Sequence, residues 1–114
     1  MGPITQPRKA IAVLRIEIRS GNDEVDMREL GERLGYEVDP ILVAINPGSE
    51  GPLTTVLLAL NRTKATAVIV PDLEHIYGID SHIRRKAQII TVVGERILER
   101  SGLRATFDAA AGAA

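Results

Sequence analysis

Arg15, Glu17 and Arg19 stand two residues apart, with Ile16 and Ile18 between them and Leu14 before. In an extended segment such spacing puts all three charges on one face. Two guanidinium groups and a carboxylate in that arrangement can hold a phosphate or another anion, with Glu17 available to move a proton. A second group, Asp72, Glu74 and His75, follows the apolar run 65–70, and His75 offers a titratable imidazole. Together, Arg15, Glu17, Arg19, Asp72, Glu74 and His75 form the candidate pocket. A solvated strand end with local ion pairs draws on the same residue types. That structural reading is preferred, because acids and arginines in a small crevice neutralise each other and leave little field for an anionic substrate.

Other chemistries find less support. His75 and His82, with Glu74 and Asp80, match no metal-ligand spacing, so no metal and no cofactor is expected. The loop Gly48-Ser49-Glu50-Gly51 lacks the Gly-Lys-Ser/Thr of a phosphate loop, and no Gly-x-Gly-x-x-Gly follows the first apolar run. Ser20 and Ser49 are the best-placed hydroxyls, but neither lies in a Gly-x-Ser-x-Gly elbow. Arg84-Arg85-Lys86 reads as a solvated helix end that can touch phosphate.

The elements that must position these residues follow from periodicity. Residues 10–19 alternate in their second half and predict a strand. Ser20-Gly21-Asn22-Asp23 is a loop with capping residues, Glu24–Leu34 carries apolar residues at helical spacing, and Gly35 marks a stop. A second strand lies within Tyr36–Ile45, and Pro40 inside it predicts an edge strand with a bulge. After the loop Asn46–Gly51, Pro52 suits the first turn of a helix with Leu53, Val56, Leu57 and Leu60 as its apolar stripe. A third strand over Ala65–Val70, a short helix from Asp80 to about Ala87, a fourth strand over Gln88–Val93 and a last helical piece over Glu95–Arg100 complete the chain. Strands alternating with helices predict a three-layer αβα domain around a mostly parallel, doubly wound sheet of about four strands, with the first strand inside. In such sheets the site lies beyond the carboxyl ends of the strands.

The composition fits that architecture. The chain has 114 residues, enough for one hydrophobic core, and only 3% are aromatic, so the core is built from Ile, Val, Leu and Ala. The net charge of −1 lacks the basic excess of a dedicated nucleic-acid binder. The absence of cysteine excludes disulfides and thiolate chemistry and fits a cytoplasmic protein. No apolar run reaches the roughly 18 residues of a membrane span, so no membrane partner is expected.

The stretch Val13-Leu14-Arg15-Ile16-Glu17 resembles the opening strand of the serine recombinases, the resolvase and invertase family, which carries Tyr-x-Arg-x-Ser. Arg15 falls on that family's arginine, and Glu17 falls on the nucleophilic serine. The family's later signature, Leu-Asp-Arg-Leu-x-Arg, is similar to Leu73-Glu74-His75-Ile76-Tyr77-Gly78, with His75 and Gly78 on its two arginines. The resemblance covers roughly residues 10–93. The polar, Pro-rich start predicts a flexible leader over residues 1–9 and the low-complexity end an Ala-rich tail over 105–114, and between them the resemblance implies a single resolvase-like domain over 10–104. It also implies lost chemistry: a carboxylate at position 17 repels phosphate, and the missing arginines remove stabilisation of developing charge. No helix-turn-helix arm is seen in the sequence.

The expectation is therefore a non-catalytic recombinase-like module that acts through a protein partner or self-association, with weak DNA contact at most. Two other readings are an active or truncated DNA strand-transfer recombinase and a small anion or nucleotide receptor using Arg15 and Arg19.

Overall fold

The computed structural model describes residues 8–46 and 51–101. The leader up to Gln6-Pro7, the loop residues Pro47–Glu50 with Ser49, and the Ala-rich tail lie outside the described residues. Six strands form one sheet: β1 (Arg8–Arg15), β2 (Tyr36–Val38), β3 (Val43–Ile45), β4 (Ala67–Val70), β5 (Gln88–Thr91) and β6 (Ile97–Leu98). The helices are α1 (Asp23–Arg33), α2 (Pro52–Thr63) and the short α3 (Asp80–Ile83). The sheet order is β2-β1-β4-β5-β6, with β3 also paired to β1, and every pairing is parallel except β5 with β6.

Alternation along the strands builds two cores, one on each sheet face. Ile11 and Val13 of β1, Val68 and Val70 of β4 and Ile89 of β5 pack with Val56, Ala59 and Leu60 of α2 and Ile83 of α3. Ala10, Ala12, Leu14, Ala67, Ile69 and Ile90 pack on the other face with Met27 and Leu30 of α1. The layers are thus α1, the sheet, and α2 with α3, which is the three-layer αβα arrangement expected. The first strand is interior and buried, as its unbroken apolar run requires.

Pro40 acts as anticipated. β2 and β3 are two halves of one edge strand, both parallel to β1. Between the registers Ala10↔Val38 and Val13↔Val43, the edge strand carries two more residues than β1. The bulge frees carbonyls from the ladder, and Arg28 of α1 collects them. Its Nη1 donates to the Asp39 carbonyl (2.8 Å) and its Nη2 to the Pro40 carbonyl (2.9 Å), while Glu24 pairs with the same guanidinium. Arg28→Ala is expected to cost about 1–2 kcal/mol. Hydrogen exchange at Ile41 and Val43 should accelerate more than at the β4 amides; a uniform acceleration would contradict the clamp.

Four expectations need correction. β1 does not run to Arg19: it ends at Arg15, and Ile16–Ile18 form a 3-10 turn. The reason is tertiary. β4, the neighbour of β1, ends before Pro71, which has no N–H, and the chain then turns into a 3-10 segment over Leu73–Ile76. Without a strand partner on the β4 side, Ile16 and Ile18 are left partly exposed. The helix over Glu95–Arg100 is replaced by β6, because Gly94 and Glu95 take positive φ (74° and 45°) and turn the chain back on β5. Gly94 is open to that conformation because it has no Cβ. The helix to Ala87 is only the single turn of α3. Lastly, β1 begins at Arg8, inside the segment read as leader. Arg8 stacks over the Tyr36 ring at 4.4 Å and donates to the Leu34 carbonyl.

Candidate functional site

β1 is the switch point of the sheet. Its connection through α1 leads to the β2/β3 edge, and the connection through α2 returns across the sheet to β4 on the other side of β1. A crevice for ligands opens at the carboxyl ends of two strands that diverge in this way. Arg15 is the last residue of β1, and His75 sits in the turn that follows β4. The Arg15 backbone N–H donates to His75 Nδ1 at 2.8 Å, and the Arg15 Nε–H donates to the His75 carbonyl at 3.3 Å. The imidazole replaces the strand partner that Pro71 removes.

His75 is buried, with 4% of its surface exposed. Because Nδ1 accepts a hydrogen bond, the neutral ring carries its proton on Nε2 and has no free lone pair with which to act as a base. Burial pushes its pKa below the ordinary histidine value and Arg15 adds to that, against the opposing fields of Asp23, Asp72 and Glu74. Glu17 pairs with Arg15 Nη1 at 3.5 Å, with the Glu17 side chain about half exposed.

The structure therefore brings Arg15, Glu17 and His75 together. It separates the remaining candidates. Asp72 is a cap whose Oδ1 accepts from the Glu74 backbone N–H at 2.7 Å. Asp72 and Glu74 line a cavity of about 310 Å³ with Thr91 and Arg96, between the ends of β4 and β5. Arg19 does not share a strand face with Arg15 and Glu17, because the 3-10 turn intervenes. It is exposed, and its side chain forms no hydrogen bond or ion pair with the other five.

Sequence reasoning missed Asp23, the carboxylate that acts most strongly on His75. Its oxygens also accept from the Ser20 backbone N–H (2.7 Å) and the Ser20 hydroxyl (2.8 Å), so that hydroxyl is engaged within its own loop. The Ser-x-x-Asp spacing of a turn was the available signal. His82 stands exposed on α3, and Arg84 of the basic run donates to the Glu99 carbonyl. Among the described residues no group of three or more His, Asp or Glu is placed to hold a metal ion, and no helix is long and apolar enough to cross a membrane.

The larger concave features lie elsewhere, on the outer face of α2. One, of about 480 Å³, is lined by Leu57, Leu58, Leu60, Asn61, Ala65 and Lys86. The other, of about 600 Å³, lies between α2 and β3 and includes Ile41, Leu42, Ala44, Leu58 and Arg62. Leu58 and Asn61 border both, so they form a ridge between two grooves. Leu58 is 63% exposed and Ile41 58%. No family model, no curated protein and no solved structure matches this chain.

Proposed function

We propose that the chain is a non-catalytic domain of serine-recombinase type that works in the cytosol through protein contacts, with a second copy of itself as the partner. The observation that carries this reading is the Leu58 ridge between two apolar-walled grooves on α2. A ridge beside a groove is self-complementary: about a two-fold axis, the ridge of each copy seats in a groove of the other. Two further observations support the non-catalytic part. Glu17 stands where the resemblance puts a nucleophilic serine, and it engages the one arginine that the resemblance retains. His75, on one of the signature arginines, is a neutral acceptor. The absence of cysteine in the chain accords with a reducing compartment.

Sedimentation equilibrium of the full chain tests the partner. A dimer is expected, with Leu58→Asp shifting it to monomer while leaving the circular dichroism unchanged, because Leu58 is an exposed side chain. A wild-type monomer at all accessible concentrations would overturn the self-association. Incubation with supercoiled DNA under conditions that trap protein–DNA esters tests the chemistry, and no protein-linked nick is expected. Glu17→Gln separates the receptor reading: phosphate titrated at low salt should bind neither variant measurably. A clear gain in phosphate affinity on removing the carboxylate would instead make Arg15 an anion site.

A further inference from the structure

One residue joins the end of β1 to the turn after β4, through both its side chain and its backbone. The Arg15 N–H reaches His75 Nδ1 at 2.8 Å, and the Arg15 Nε–H reaches the carbonyl of the same histidine at 3.3 Å. The first bond exists only while the imidazole is neutral, because a protonated ring carries a hydrogen on Nδ1 and cannot accept there. We propose that His75 is the titratable pin of a latch at the sheet's switch point, and that acid releases it.

Protonation would set two donors, Arg15 N–H and Nδ1–H, against each other beside a guanidinium already in contact with the same residue. The groups that face the ring come from three elements. Arg15 of β1 opposes the charge, whereas Asp23 at the start of α1 and Asp72 and Glu74 of the ring's own turn favour it. Burial opposes it most. Acid therefore breaks the hydrogen bond by which the imidazole holds the end of β1.

The sign follows from these directions. The folded chain holds the pKa of His75 below the ordinary value of 6.5 that it regains on unfolding. The latch is thus complete above that value, weakens as the pH falls below it, and reaches its floor once the folded-state pKa is passed. This depends on His75 alone and is independent of what α2 contacts.

The test is amide hydrogen exchange of the ¹⁵N-labelled full chain between about pH 7.5 and about pH 5, the range in which histidine titrates. Protection of the Arg15 amide, corrected for intrinsic exchange, is expected to fall progressively as the pH is lowered through this range, because the protonated ring no longer accepts from it. The Ile11 amide in the middle of β1 should keep its protection, which distinguishes local release from global unfolding. His75→Asn offers an amide oxygen as a non-titrating acceptor and should abolish the pH response, whereas His82→Asn should retain it. Arg15 protection that is flat with pH, or a response that survives in His75→Asn, would overturn the latch. The imidazole nitrogen shifts of the wild-type protein give a reading that needs no variant. A ring protonated on Nδ1 at about pH 7.5 would be equally decisive against it.

Discussion

Replacing Ile11 by Ala is expected to lower the unfolding free energy by about 3–4 kcal/mol, because deletion of a buried branched side chain removes its transfer energy and leaves a cavity. Ile11 is fully buried and packs with Val13, Val56, Leu60 and Ile89. Its backbone is held opposite Val68 in the β1–β4 ladder. A backbone held in that way cannot relax into the void, so the cost falls in the upper half of the usual range. For a domain of this size the melting temperature should drop by roughly 15–20 °C, a large share of typical domain stability. Ile18→Ala makes the comparison informative. If β1 ran on to Arg19 with its alternation intact, Ile18 would face a core and its loss would cost nearly as much. In the structure Ile18 lies in the 3-10 turn, 41% exposed, and its truncation should cost under about 1 kcal/mol. Urea unfolding of the two variants checks both statements, and equal losses would refute the early end of β1.

Gly31→Leu is expected to cost about 3 kcal/mol, at the top of the range for overpacking a core. Gly31 is buried on α1 where the helix crosses the sheet. A Cβ added there would meet Val38 Cγ2 at 2.5 Å and Ile69 Cδ1 at 2.7 Å. In a free helix, alanine would be favoured over glycine by about 1 kcal/mol. Here Gly31→Ala should be destabilising despite that propensity, and Gly31→Leu more so. Removing one of the obstructing methyls should recover part of the loss: in the double variant Gly31→Ala/Val38→Ala, the two changes should cost less together than the sum of the singles. Thermal denaturation of the four members of this cycle measures the coupling. Additive losses would mean that the close approach of α1 to the sheet is not the reason for glycine.

Local pattern alone determined much of this protein. The continuous apolar runs located β1, β4 and β5, the helical spacing of Met27 and Leu30 located α1, and Pro52 with its apolar stripe located α2. Pro40 marked the edge strand and its bulge, because proline cannot donate to a ladder. From the alternation of strands and helices came the parallel sheet with β1 inside, and from that the end of the sheet at which Arg15 and His75 meet. These features were legible because each rests on contacts within a few residues, or on a topology with few alternatives.

What the tertiary structure decided has one physical cause: the partner of a polar or apolar group is chosen across the fold. Residues 16–18 continue the alternating pattern perfectly well, yet β1 stops, because the neighbouring strand β4 runs into Pro71, far along the chain, and leaves no backbone on that side to pair with. His75 reads as a site residue from its type, and only the 2.8 Å approach of the Arg15 amide makes it a neutral structural acceptor. Glu95–Arg100 has helical composition, and the open edge of β5 draws Ile97–Leu98 into an antiparallel pair instead. Leu58 lies off the buried stripe of α2 by helical spacing alone, but the grooves beside it come from tertiary packing, with Ala65 and Lys86 walling one and Ile41, Leu42 and Ala44 the other.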